Sequence, residues 1–319
     1  MNKAMLVTGG AGAIGCNLVK RLVDSDTKVV VIDNLSSGHR DNVTKSKNIV
    51  FIKGDIANNS DLKKVFSYNI SAVFHLAANF ANQNSVEHPK KDLRTNILGT
   101  LKLLEYAVMK KIDKFIYVSS SCVYGNKSSV LKENFLDLKH DTPYSISKLT
   151  AEKYVSFFND YYGLKTCILR YFNVYGPGEM PGKYRNVIPN FFYKAIKGES
   201  LTITGTGEET RDFTFVEEVV TATVKALETS GAVGEIFNIG SGIETNILTL
   251  ANKINDIAGN KARIVFKKRR NWDNVLKRRA DITKAKNVLG HKISVGLDEG
   301  LLETYKWLIK ELSRRKICA

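Results

Sequence analysis

Cysteine is scarce in this chain: Cys16, Cys122, Cys167 and Cys318 are scattered over 319 residues, with no C-x-x-C pair and no spacing that suggests a disulfide framework. No cysteine and histidine cluster is spaced to hold zinc, so no metal is expected. A chain of this length buries enough surface to need no covalent staple, and a reducing cytoplasm is the expected setting. No apolar run approaches the roughly 20 residues of a membrane span. Met1-Asn2-Lys3 leads directly into a short apolar segment, without the charged, apolar and small-residue parts of a secretory signal. No membrane partner is expected. Internal repeats, low-complexity tracts and long linkers are missing as well. Acidic residues are few beside basic ones, 32 against 48, for a formal charge of +16. That excess suits nucleic acid, a membrane surface or a phosphorylated substrate, and its location has to decide among them.

What is present begins with an apolar run, Ala4 to Val7, followed by Thr8-Gly9-Gly10-Ala11-Gly12-Ala13-Ile14-Gly15 and a helical pattern through Leu18, Val19, Leu22 and Val23. Strand, glycine turn and helix in that order form a diphosphate cradle: the glycines allow a tight turn and close approach, and the helix amides attract phosphate. A second run, Lys28 to Ile32, ends in Asp33, about 20 residues past the glycines, where a carboxylate grips a ribose 2′-hydroxyl and repels a 2′-phosphate. NAD is therefore expected rather than NADP. Asp33 could alternatively cap a turn with Asn34 and Ser36.

Further apolar runs end in Gly54-Asp55-Ile56 and in His75-Leu76-Ala77-Ala78, and a long helix over Leu93 to Met109 precedes a strand from Lys114 to Val118. Alternating strands and helices predict a parallel, doubly wound sheet with ligands at the carboxyl ends of its strands. Asp55 is placed to reach an adenine edge, Ala77 and Ala78 leave room beneath the cofactor, and His75 reads as a packed strand-end histidine. Past this strand come Ser119-Ser120-Ser121-Cys122-Val123-Tyr124-Gly125, then Pro143 and Tyr144-Ser145-Ile146-Ser147-Lys148. On a helix, Tyr144 and Lys148 stand one turn apart on one face. An ammonium near a phenol favours the phenolate, so Tyr144 is expected to have a lowered pKa suited to a general base.

With these motifs, and with Asn96 and Arg170-Tyr171-Phe172-Asn173-Val174-Tyr175-Gly176-Pro177, the chain resembles the extended short-chain dehydrogenase/reductases of the NAD-dependent epimerase/dehydratase family over nearly its whole length. The UDP-glucose 4-epimerase type is the nearest in pattern. The resemblance implies an α/β fold, a doubly wound parallel Rossmann sheet over residues 1–175 with a return segment near 213–240. A smaller C-terminal substrate-binding α/β domain would comprise 176–212 and 241–319. It implies Ser120, Tyr144 and Lys148 as catalytic residues. Cofactor contacts are implied for Gly9, Gly12, Ala13, Ile14, Gly15, Asp33, Asn34, Leu35, Ser36, Ser37, Gly38, Asp55, Ile56, Leu76, Ala77, Ala78, Asn96 and Phe172 as well as Tyr144 and Lys148. Substrate contacts are implied for Ser120, Ser121, Tyr144, Asn173, Asn186, Val187, Arg211 and Arg270.

Within that family, dehydratases place Asp-Glu directly after the residue matching Ser120, and nucleotide-sugar decarboxylases keep a glutamate two residues after it. This chain has Ser121 and Cys122 there. The chemistry left is 4-epimerisation of a UDP-sugar through a transient 4-ketose, the UDP-glucose/UDP-galactose type being expected. Cys122 reads as a small buried residue; as a functional thiol it would favour 3,5-epimerisation. A UDP-uronate or UDP-N-acetylglucosamine 4-epimerase is a further alternative. So is a non-catalytic NAD-sensing or RNA-binding relative, suggested by the basic balance. The residue before Val187-Ile188-Pro189 is Asn186, where GDP-fucose synthases carry a histidine.

The second half holds the charge. Lys261 to Arg279 includes Lys267, Lys268, Arg269, Arg270, Lys277, Arg278 and Arg279, with only Phe266 and Trp272 as aromatics. Aromatic interleaving of the kind nucleic-acid surfaces use is missing, so no nucleic acid is expected and diphosphate recognition is preferred. By the resemblance, Arg211 and Arg270 meet the diphosphate, and Arg278 falls where the family gates the C2 side of the sugar. An arginine there either crowds out an N-acetyl group, attracts a carboxylate, or points to solvent on a rerouted loop. The helices around Leu93 to Met109 and Ala151 to Tyr161 match the family's dimer bundle, so a homodimer is expected.

Overall fold

The computed structural model describes residues 3–317 except 128, 136, 138 and 272; Cys318 and Trp272 lie outside the described residues. Seven strands form one sheet: β1 (Ala4–Thr8), β2 (Val29–Asp33), β3 (Ile49–Lys53), β4 (Ile70–His75), β5 (Lys114–Ser120), β6 (Thr166–Tyr171) and β7 (Ile236–Ile239), in the order β7-β6-β5-β4-β1-β2-β3. Every pairing is parallel. Residues of β2 show why. Val29 and Val31 enter the hydrophobic core on one face while Val30 and Ile32 enter the core on the other, as a period of two requires. A run apolar on both faces is stable only when helices cover both. The Ala13–Asp24 and Val216–Glu228 helices supply one layer, and the Thr100–Met109 and Pro143–Tyr162 helices the other. Each fully buried Val, Leu or Ile adds about 1.5–3 kcal/mol, so these two layers fix the register of the strands.

The order of strands reverses between β1 and β4, and there the carboxyl ends open a crevice. A third apolar core, built on the Val187–Ile196, Ile247–Ala258 and Leu297–Arg314 helices, packs beside that crevice. Among the described residues four two-stranded ribbons stand outside the sheet, including Ser129–Leu131 with Arg278–Ala280 and Thr210–Arg211 with Thr245–Asn246. The carboxylate of Asp212, fully buried, accepts the amides of Ser241 (2.7 Å), Gly242 (2.9 Å) and Ala280 (3.0 Å) and the Ser241 hydroxyl (2.6 Å), knotting three distant segments.

One expected element differs. Residues 93–109 are not a single α-helix: a π-helical stretch, Leu93–Gly99, precedes the α-helix Thr100–Met109. The wider turn coincides with Asn96, whose side chain turns inward rather than to solvent, and single π-turns recur where a side chain must be aimed at a site.

Candidate active site

The cradle forms where β1 meets the Ala13–Asp24 helix. Gly9 has φ +71°, and a Cβ there would stand 2.8 Å from the Ala77 backbone. At Gly15 a Cβ would stand 2.2 Å from the Gly9 carbonyl oxygen, so only glycine lets the helix pack this closely on the turn. No side chain caps the helix start at Gly12, which leaves first-turn amides for an anion. Asp33, at the tip of β2, is buried and accepts hydrogen bonds from the amides of Ala11 (2.9 Å) and Leu35 (2.8 Å). It thus fixes the glycine loop and the following turn together. A carboxylate has about four acceptor positions, so both roles expected of Asp33 are compatible. The residues present fit a dinucleotide.

At the tip of β5, Ser120 Oγ accepts from the Cys122 amide (3.2 Å) as the chain turns. Thr142 caps the Pro143–Tyr162 helix, its side chain accepting from the Ser145 amide, with proline in the first turn. That is a favourable start for a helix, and it sets Tyr144 at the cleft. The Tyr144 backbone amide also donates to Ser85 Oγ (3.0 Å), and its ring meets Phe80 edge-on at 6.0 Å. Lys148, one turn on, donates from Nζ to the Val118 carbonyl (2.8 Å) and lies over the Tyr117 ring at 4.8 Å.

The electrostatics differ from expectation. Burial is the main influence on the Tyr144 phenol and pushes its pKa above the ordinary value; Cys122 adds to the rise and the Ser120 hydroxyl opposes it. The lowering expected from Lys148 is not found; burial dominates. Burial instead lowers Lys148 to about 8, opposed by the charges of Asp92 and Glu152. Asp92 is itself buried, receives the Asn96 amide at 2.9 Å, and has its pKa raised by burial. Glu152 pairs with Arg170 through two hydrogen bonds of 3.0 and 2.7 Å.

From the glycine turn past Tyr144, a cavity of about 780 Å³ continues to Arg211, Arg270 and Arg278. Its wall includes the residues expected there with three exceptions. Leu35 stands off it in a left-handed turn at φ +60°. Phe172 is fully buried in a small core behind it. Asn96 lies beneath it, its side-chain oxygen accepting the Asn79 amide (2.8 Å) and its nitrogen donating to Ser147 (3.1 Å). Asp55 reaches the wall already paired with Arg94 at 2.6 Å. His75 is packed: its ring nitrogens meet Thr8 and Thr100, both at 2.8 Å, and burial holds its pKa well below the usual value.

At the far end, Arg211 pairs with Asp273 at 3.3 Å. Asn186 is held by the buried Glu179, which accepts its amide and its side-chain nitrogen at 3.1 Å each. Asn173, at φ +26°, donates to the Asp212 carbonyl (3.2 Å). Arg278 does not point to solvent: it is 6% exposed, lines the cavity, and donates to the Gly125 carbonyl. Cys122 is half-buried on the wall rather than packed away, with the Asn82 amide 3.8 Å from its sulfur. The motifs did not reveal Arg185, whose guanidinium reaches the Ser37 carbonyl across the cavity mouth, or Lys183 and Tyr184, both 2.7 Å from Glu87. Only the density of turn residues from Gly176 to Lys183 hinted at a crossing segment.

Parallel sheet, dinucleotide cradle, and a serine, tyrosine and lysine at one cleft define a nucleotide-dependent enzyme of the short-chain dehydrogenase/reductase class. The model of the NAD dependent epimerase/dehydratase family matches residues 5–240, and the chain belongs to that family. It is 44% identical to an epimerase from the thermophilic methanogen Methanothermobacter thermautotrophicus, with a TM-score of 0.97 over 100% of this chain and 95% of that one. The UDP-glucose 4-epimerase of Thermotoga maritima, solved with UDP-glucose, is 37% identical, with a TM-score of 0.91 over 97% and 99% of the two chains. The UDP-glucose 4-epimerase of Mycolicibacterium smegmatis is 33% identical over 306 residues, 95% of this chain and 97% of the relative.

Proposed function

We propose that the chain is an NAD-dependent nucleotide-sugar 4-epimerase acting on a UDP-sugar. The observation that carries this reading is the meeting of Ser120, Tyr144 and Lys148 on one cavity wall, with Ser121 and Cys122 where dehydratases and decarboxylases of the family carry acids. The cofactor is NAD; when bound it supplies the hydride acceptor and donor that interconvert the 4-alcohol and a transient 4-ketose. The chain's own groups handle the proton. Tyr144 accepts it from the C4 hydroxyl through or beside Ser120 and gives it back, so its high resting pKa must fall on loading. Lys148 assists: an ammonium has three donors, one is used by Val118, and two remain for the ribose. Asp33 holds the other ribose of the dinucleotide, and the glycine turn its diphosphate.

Arg211 and Arg270 support diphosphate recognition at the substrate end. Lys267 and Arg278, from the same basic stretch, also line the cavity, which favours a phosphorylated small molecule over nucleic acid as the reason for the charge. The expected homodimer is supported by an apolar strip on the outer face of the Pro143–Tyr162 helix: Ile146, Phe157 and Tyr161 are 49%, 49% and 72% exposed.

The test is conversion of UDP-galactose and of UDP-glucuronate followed through the anomeric proton by NMR; no conversion of any UDP-, dTDP-, CDP- or GDP-hexose or hexuronate removes the reading. Tyr144→Phe should keep NAD bound and lose about 10²–10⁴-fold in turnover, the usual worth of a positioned acid or base.

A further inference from the structure

Among the described residues, no carboxylate pairs with the buried guanidinium of Arg278. It is 6% exposed, its Nη2 donates to the Gly125 carbonyl, and its Nε–H has no acceptor among the described residues. The carboxylates at the same end of the cavity are engaged elsewhere: Asp273 by Arg211, Asp141 by the side-chain amides of Asn126 and Asn274, and Glu209 by Arg269. The Arg211 pKa is lowered mainly by burial, and Arg278 is close enough for its charge to add to that lowering against the opposing Asp273. A buried charge of this kind is costly unless paired and hydrogen-bonded. The backbone leaves it no retreat, since Arg278 sits in the ribbon with Ser129 and the next residue but one, Ala280, is tied to Asp212.

We infer that Arg278 selects a hexose bearing a carboxylate, a nucleoside-diphosphate hexuronate, for the reaction proposed above, on which this inference rests. Gly125 ends the turn that starts at Ser120, so the guanidinium is anchored to the loop carrying the reacting hydroxyl rather than to the cradle. A neutral hydroxyl would satisfy the free N–H and leave the charge uncompensated. A carboxylate does both, with the planar two-oxygen geometry to which a guanidinium is matched.

The experiment measures both binding and turnover of UDP-glucuronate, UDP-glucose and UDP by the NAD-loaded protein, its Arg278→Gln variant and its Arg278→Lys variant. Expected are a preference of the wild type for the uronate of about 100-fold or more in kcat/KM, and a drop in that ratio of about 30-fold or more in Arg278→Gln, as loss of one charge-assisted pair implies. Arg278→Lys, which keeps the charge but not the fork, should fall between. Equal or better use of UDP-glucose by the wild type overturns the inference and leaves the epimerase reading intact. An equal loss of affinity for UDP alone in Arg278→Gln also overturns it, by assigning the arginine to the diphosphate. If neither sugar is epimerised, the epimerase reading fails, and Arg278 is then judged on the binding ratio of uronate to glucose alone.

Discussion

Tyr144 and Lys148 do not act as an isolated pair, because each is set by groups that sequence spacing alone could not connect to them. Lys148 is depressed to about 8 by burial and held up by Asp92 and Glu152. Its ammonium is therefore lost as pH rises through about 8, and with it the positive charge beside the phenol. Asp92→Asn removes one of the two opposing carboxylates, so the Lys148 pKa falls further. The alkaline limb of the kcat/KM profile should move to lower pH, by up to about one unit for a charge at this range, while circular dichroism stays native. An unmoved limb would take Asp92 out of this role. The tyrosine, the lysine and the serine were legible because they fall in ordered motifs. Asp92 was not, because a carboxylate on a lysine-rich stretch, Pro89–Asp92, looks like any solvated helix face until the fold buries it. Arg278 was legible as a position but not as an orientation.

Among the elements, the long sheet strands were readable because both faces of each are apolar, and the glycine turn because its spacing leaves one geometry. A Cβ at Gly15 would overlap the Gly9 carbonyl oxygen, so Gly15→Ala must displace the helix start from the cradle. Bound NAD should fall by about tenfold or more, and the melting temperature should drop by several degrees, as overpacking by about 1–3 kcal/mol implies. Co-purified nucleotide and thermal melts check both. Ribbon strands such as Thr210–Arg211 and Thr245–Asn246 were not readable, since nothing that short has a measurable period. Neither was the π-helical stretch at Leu93–Gly99, whose pattern is that of an ordinary helix and whose cause, the inward turn of Asn96, is tertiary.

For the whole molecule, the proposed homodimer rests on the outer face of the Pro143–Tyr162 helix. Phe157 and Tyr161 stack at 5.2 Å on that face, and Leu93 and Met109, at the two ends of the 93–109 helical stretch, are exposed as well. Apolar strips of this kind on an enzyme surface mark contact with another chain. Tyr161→Lys with Phe157→Lys should convert a dimer into a monomer by sedimentation velocity, with NAD binding retained, since neither residue lines the cavity. A wild-type monomer at micromolar concentration would remove the dimer from the proposal.

Asp212 carries a consequence for how the chain is made. Its carboxylate is buried and takes donors from Ser241, Gly242 and Ala280, and β7, the edge strand beside β6, is contributed only at Ile236–Ile239. A nascent chain emerging from the ribosome can assemble β1 to β6 early, as N-terminal units generally do. The first partners of Asp212, Ser241 and Gly242, come 29 and 30 residues later, and the last, Ala280, only after 68. Until Ile236–Ile239 and the turn after it are made, the edge of β6 is open and the acid has none of these donors. The last of these contacts to Asp212 is therefore made by the same short strand that carries Arg278 into the cavity wall, so the Asp212 junction and that end of the cleft are completed together.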